Sequence, residues 1–237
     1  MHPRRHIAAK FTQNILRHTH GLEYLINLTS RILQFHNKPA FENQIRKTFK
    51  RIFGVLAQAC RDNTENKKWI FERHFEFLLT TLEQDRYNID MCVFMHEFIH
   101  DNTALIGCEE SCSTLLRKLL KQMELLHHDK HKQAFYLSII QKLIFVKDHS
   151  VQANQRMIIG KLINREHKAL FGNMLLGENF INYLKETGAN ALCHTFKGVD
   201  KEIRQMSGKV SFHLAFLEIL TYCSYDRNAF ADKICQQ

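Results

Sequence analysis

Two imidazoles one helical turn apart, with a carboxylate between them, can hold zinc. His96-Glu97-Phe98-Ile99-His100 is such a run. In that chemistry the two histidines ligate the metal and Glu97 acts as the general base on a bound water. A third protein ligand is required. The extended form of the motif places glycine at 103 and histidine at 106, where this chain has Thr103 and Ile106. At 100° per residue, Met91, Phe94, Met95, Phe98 and Ile99 form an apolar stripe, with His96, Glu97 and His100 opposite it. With 15 His in 237 residues the pattern also arises readily by accident. The expected reading is the polar face of an amphipathic helix, with no metal bound. A zinc hydrolase through His96, Glu97 and His100 is the remote alternative.

The other clusters carry less chemistry. Cys108 and Cys112 lie one turn apart with Glu109 and Glu110 between them, and read as small half-buried residues at a helix start. His127, His128 and His131 fall in a polar loop, and Cys193-His194 has no third group to complete a nucleophilic arrangement. The chain contains no Walker A loop, G-x-G-x-x-G or G-x-S-x-G, so no cofactor and no catalytic residue is assigned.

One candidate surface remains. In "NQIRKTFKRIFGVLAQ" the cations Arg46, Lys47, Lys50 and Arg51 share one side of a helix, with Ile45, Phe49, Ile52 and Phe53 on the other. Residues 1 to 79 hold 14 Lys+Arg against 6 Asp+Glu, a net +8 of the chain's +9. A basic face of this kind reads first as a solvated surface, and the functional alternative is an acidic protein partner, a phosphate or a membrane face. No accompanying nucleic-acid-binding module is visible, so nucleic acid is not expected.

These residues need helices to position them. Two Pro and 9 Gly in 237 residues are few for an all-β chain, and 45 % apolar residues can bury a sizeable core. Helical spacing recurs throughout. It predicts helices over about 5–18, with Ile7, Phe11, Ile15 and Leu16 on one face, then 22–33, 40–60, 67–83 and 88–100. Further helices are expected over 111–126, 133–146, 150–163, 169–186 and 209–224, with a looser stretch at 186–207. No strict sequence repeat is found. Helices of similar length joined by short loops predict an all-α fold, an armadillo- or HEAT-like α-solenoid of antiparallel helix hairpins. Without a clear linker, 1–165 and 166–237 are expected to be parts of one array. The seven cysteines include no Cys-x-x-Cys and read as reduced thiols. The start "MHPRRHIAAKF" lacks the apolar run of a secretory signal, and no stretch reaches the ~18 apolar residues of a membrane span.

Three blocks point to a family. They are "LAQACRDNTENKKWIFERHFEFLL", "YLSIIQKLIFVKDHSVQANQRMIIGKLIN" and "SFHLAFLEILTYCSYDRNAFADKIC". In order and spacing they resemble the RIH-type helical region (ryanodine and inositol trisphosphate receptor homology) of inositol trisphosphate receptors, and ryanodine receptors more distantly. The resemblance covers about residues 8 to 235, with His213, Leu214, Leu217, Cys223 and Asn228 in the last block. It implies a non-catalytic regulatory solenoid that relays ligand occupancy towards a calcium-release pore, on the cytosolic face of the endoplasmic reticulum. It implies as partners other domains of the same subunit and the neighbouring subunits of a tetramer. No ligand-binding trefoil or pore helix is visible, so the chain is expected to be a fragment, a truncated gene model or a stand-alone relative. The alternative is a stand-alone armadillo-like cytoplasmic scaffold that binds an acidic partner.

Overall fold

A computed structural model describes residues 3–34, 39–83, 88–126, 128–163 and 201–224. The described chain is all-α apart from one short hairpin, and it divides into two compact units, Met1–Cys108 and Glu109–Gln237. The expected helix over 169–186 and the Cys193-His194 pair lie outside the described residues.

In the first unit α1 (Pro3–His18) and α2 (Gly21–Leu33) form a hairpin. His20 takes a left-handed backbone (φ 59°) at the turn. Gly21 follows because a Cβ there would lie 3.0 Å from Leu16 Cδ2 and 3.1 Å from the Leu16 carbonyl. A 3-10 turn (Pro39–Phe41) leads into α3 (Glu42–Cys60). It leaves Phe41 52 % exposed, so the core begins at Ile45 and not at Phe41. Next come α4 (Thr64–Leu82), α5 (Asn88–Ile99) and a single turn, α6 (Thr103–Ile106).

The core of this unit is aromatic where α3 meets α5. Phe49, Phe53, Phe94 and Phe98 form a continuous row of rings, with successive centroids 5.8, 6.1 and 5.6 Å apart. All four are at most 1 % exposed. Each such pair adds about 0.5–1.5 kcal/mol beyond the area it buries.

The turns between helices follow one local rule used twice. Asp62-Asn63-Thr64 recurs 39 residues later as Asp101-Asn102-Thr103. In both copies the Asp ends a helix with a left-handed backbone (φ 53°). In both, the next Asn caps the following helix: Asn63 Oδ1 accepts from Asn66 N (3.0 Å) and Asn102 Oδ1 from Leu105 N (3.3 Å). The cap at Asn63 starts α4 three residues before the apolar spacing alone predicts. The recurrence is short, and in its 39-residue register the core positions of the flanking helices carry different residues.

The second unit contains α7 (Glu109–Leu125), α8 (Lys130–Gln141), α9 (Gln152–Ile163) and α10 (Lys201–Ser224). The helix expected over 133–146 stops at Gln141. A hairpin of β1 (Phe145–Val146) and β2 (His149–Ser150) takes its place, with Phe145 paired to Ser150 and Val146 to His149. Lys147 and Asp148 both adopt positive φ (47° and 64°), which a two-residue primed turn requires. Phe145 packs edge-on against Tyr222, with centroids 5.3 Å apart. Helix α10 begins at Lys201, earlier than its apolar spacing suggests, and packs against α8 and α9. The approach to α8 is close: a Cβ on Gly208 would lie 2.9 Å from His131 Cδ2.

Candidate functional site

The His-Glu-x-x-His helix is α5. Met91, Cys92, Phe94, Met95, Phe98 and Ile99 are buried, His96 and Glu97 are half-buried, and His100 is exposed. Glu97 Oε1 accepts from Arg61 Nη2 at 3.1 Å, so the carboxylate that would activate water is engaged by a guanidinium. The pair is partly exposed and contributes about 1 kcal/mol or less. His100 Nδ1 lies 3.8 Å from Asp101 Oδ2. Among the described residues no group of three or more His, Cys, Asp or Glu is placed to hold a metal ion. Of the polar-loop histidines, His128 is exposed, His131 stands against Gly208, and His127 is outside the described residues. Cys108 is half-buried at the end of the first unit. Cys112 is buried in the second, where its sulfur receives Asn154 Nδ2 at 3.7 Å.

What α5 does instead is close a polar junction that sequence reasoning did not assemble. Helix α3 ends at Cys60, and a helix end leaves its last carbonyls without intrahelical partners. Side-chain amides from elsewhere supply the donors. Gln13 Nε2 of α1 reaches the carbonyls of Gln58 (2.6 Å) and Arg61 (3.0 Å). Asn66 Nδ2 of α4 reaches the carbonyls of Ala59 (2.8 Å) and Gln13 (3.1 Å). Asn63 Nδ2 donates to Gln13 Oε1 and Asn14 Oδ1, both at 3.2 Å. Lys67, 2 % exposed, donates its ammonium to the carbonyl of His100 at the end of α5.

Burial sets the electrostatics of this junction. It lowers the Lys67 pKa below the usual lysine value, against the opposing influence of Cys60, Asp101, Glu97 and Asp62. It raises the Cys60 thiol to about 12, with Lys67 pulling the other way and Glu97 adding to the rise. A thiol held that high is a packing group and not a nucleophile. The junction therefore orders helix ends. The sequence signal for it was the Asn63…Asn66 pair, visible as a polar loop but not as part of a set of side chains, Gln13, Asn66 and Lys67, donating to backbone carbonyls.

This junction has a cost on α1. Phe11 and Ile15 each lie two positions from Gln13, which at 100° per residue puts them on the side away from it. Turning Gln13 inward turns Phe11 and Ile15 out: Phe11 is 67 % and Ile15 43 % exposed, and Leu16 is half-buried.

Arg46, Lys47, Lys50 and Arg51 are all exposed on one side of α3, and among the described residues only Arg46 has a carboxylate nearby, Glu42 at 3.9 Å. The same side carries Gly54, with nothing within 4 Å of where a Cβ would stand, and Val55, 42 % exposed.

Comparable amide bonds hold the second unit. Gln133 Nε2 donates to the Met123 carbonyl (2.7 Å), Asn154 Nδ2 to the Leu143 carbonyl (2.9 Å) and Gln155 Nε2 to the Tyr222 carbonyl (2.9 Å). Lys130 Nζ sits 4.4 Å over the Phe212 ring.

The fold thus defines a class: an all-α protein of helical hairpins latched by buried amides. A family model for the RIH domain matches residues 5–176, and the chain belongs to that family, the one found in inositol trisphosphate and ryanodine receptor-type calcium channels. No curated protein and no solved structure matches the chain. No described helix is long and apolar enough to cross a membrane.

Proposed function

We propose that the chain is a non-catalytic regulatory module of an inositol trisphosphate-type calcium-release channel. In this reading its helices form part of an armadillo-like solenoid on the cytosolic side of the endoplasmic reticulum. The solenoid passes ligand occupancy towards the pore by rigid-body movement of packed helices. Its partners are the other domains of the subunit and the neighbouring subunits. The observation that carries the reading is the RIH match over residues 5–176. The recurrence of the Asp-Asn-Thr turn after 39 residues supports the solenoid, because armadillo and HEAT units repeat at about 40–47 residues. Helix ends pinned by buried amides support rigid-body transmission, since such contacts break all at once rather than stretch.

The test is a knock-down in the source cells. Loss of inositol trisphosphate-evoked calcium release, with the chain found on the protease-accessible face of endoplasmic reticulum vesicles, is expected. Unchanged release with the chain free of membranes overturns the reading.

The four exposed cations of α3 favour a second reading, a stand-alone scaffold for an acidic protein. Charge reversal at Lys47 and Lys50 would then abolish partner capture and leave calcium release untouched.

A further inference from the structure

We infer that the outward face of α1 is a docking surface for an acidic amphipathic helix of a partner. Three observations meet there. On α1 Phe11 and Ile15, one turn apart, are exposed to solvent. Their orientation is fixed and not a matter of helix rolling. Gln13, on the opposite side, is held through Gln58, Arg61, Asn63 and Asn66, and Asn14 at the flank accepts from Asn63. To bury the stripe against its own unit, α1 would have to break those bonds. An outer face of this composition is the reverse of the polar face that closes a helical array, so another element covers it.

Charge selects what that element is. Helix α1 carries Arg4, Arg5, Lys10 and Arg17 among its 16 residues and no Asp or Glu; Lys10 is exposed and Arg17 half-buried. Its macrodipole adds positive character at the start, where no acidic residue offsets it. A second copy of the chain would bring the same cations and be repelled. A helix with apolar residues at i, i+3, i+4 and i+7, flanked by Glu or Asp, matches both the stripe and the charge. This surface lies on α1 and is independent of the channel reading and of the basic face of α3.

The experiment uses the whole chain and three labelled synthetic peptides of the same length. One is an amphipathic helix with a Leu stripe flanked by Glu, the second has Lys in place of Glu, and the third is a scramble of the first. Fluorescence anisotropy is read at physiological salt. The Glu peptide is expected to bind, with the Lys peptide and the scramble weaker by about tenfold or more. Phe11→Ser with Ile15→Ser is expected to weaken the Glu peptide by a similar factor, the loss typical of apolar interface anchors. Lys10→Glu, at an exposed site, is expected to weaken the Glu peptide and strengthen the Lys peptide. Circular dichroism and thermal melts check that the variants keep their fold. Equal binding of the Glu and Lys peptides, or no binding, overturns the proposal. So does sedimentation showing a dimer lost in the Phe11→Ser, Ile15→Ser variant, which makes the occupant a second copy. Phe11-dependent pelleting with phosphatidylserine vesicles and no peptide binding also overturns it and makes the occupant a membrane.

Discussion

Replacing Asn66 by leucine tests the polar junction most directly. Asn66 is fully buried, and its Nδ2 donates to the Ala59 and Gln13 carbonyls while its Oδ1 has no partner. Leucine keeps the branched shape and loses both donors. Two neutral hydrogen bonds contribute about 1 kcal/mol each net, and a carbonyl left dry and unpaired costs about 1–3 kcal/mol more. Removing the unpartnered Oδ1 from the interior returns about 1 kcal/mol. The expected loss is about 2–4 kcal/mol. Urea unfolding at pH 7 measures it, read by the fluorescence of Trp69, the one tryptophan of the chain, on the same helix as Asn66. The midpoint should fall with the slope unchanged, because the surface exposed on unfolding is the same. Asn66→Asp should cost more, since a carboxylate would face two carbonyls with no proton to give. Combined with Gln13→Ala, the loss should fall short of the sum by about 0.5 kcal/mol or more, as contacting residues do. A loss below about 0.5 kcal/mol for Asn66→Leu would mean that water already serves those carbonyls and that the latch contributes nothing.

Three further outcomes are expected. Gly54→Ala and Gly160→Ala fill open space in helices and should each add roughly 0.5–1 kcal/mol, whereas Gly208→Ala meets His131 and should cost about 1–3 kcal/mol; calorimetric melts of the three variants separate the signs. Burial holds the His74 pKa below 6.5, opposed by Glu23 and assisted by Arg73. As pH falls below 6.5 the unfolded chain takes up a proton that the folded chain resists, so stability is full above 6.5 and declines below it. His74→Gln should flatten that decline in urea titrations from pH 7 to 5. Added zinc should leave the melting temperature unchanged, with or without His100→Ala, because a real site at 100 times its Kd would add about 2.7 kcal/mol.

The helices were legible in the sequence because their burial follows the 3.6-residue period, and α2, α3, α4 and α5 bury the faces that spacing selects. The side of α3 that carries Arg46, Lys47, Lys50 and Arg51 was legible for the same reason. Where the reading failed, a tertiary contact overrode the local pattern. The stripe of α1 was visible, but which way it faces depends on carbonyls near residues 58 to 61, some 45 positions along the chain. The hairpin at 145–150 was hidden because Lys147 and Asp148 are not the Asn-Gly or Asp-Gly pair that marks such turns. The side chain of Asn154 takes up the Leu143 carbonyl that continued helix would have used. The histidine motif is a different case. Its spacing is a property of any helix face, and Arg61, which claims Glu97, is 36 residues away.

The same device explains both the successes and the misses. A helix interior satisfies its own backbone, so its position depends mainly on which face is apolar, and sequence shows that. A helix end does not, and its orphan carbonyls must be met by a donor from somewhere. Here the donors are Gln13, Asn66, Gln133, Asn154 and Gln155, each a neutral amide with two protons to give and no charge to bury. Lys67 is the exception, and its lowered pKa is the sign that an ammonium is the harder group to place. If that is right, Lys67→Met, which keeps the stem and removes the buried charge, should cost less than Asn66→Leu although it too deprives a helix end of its donor. The His100 side chain is exposed, so water can reach the carbonyl that Lys67 gives up, whereas nothing replaces the amide at Ala59. Trp69-monitored urea unfolding of the two variants decides it, and a larger loss for Lys67→Met would show that the ammonium–carbonyl bond outweighs the cost of burying the charge.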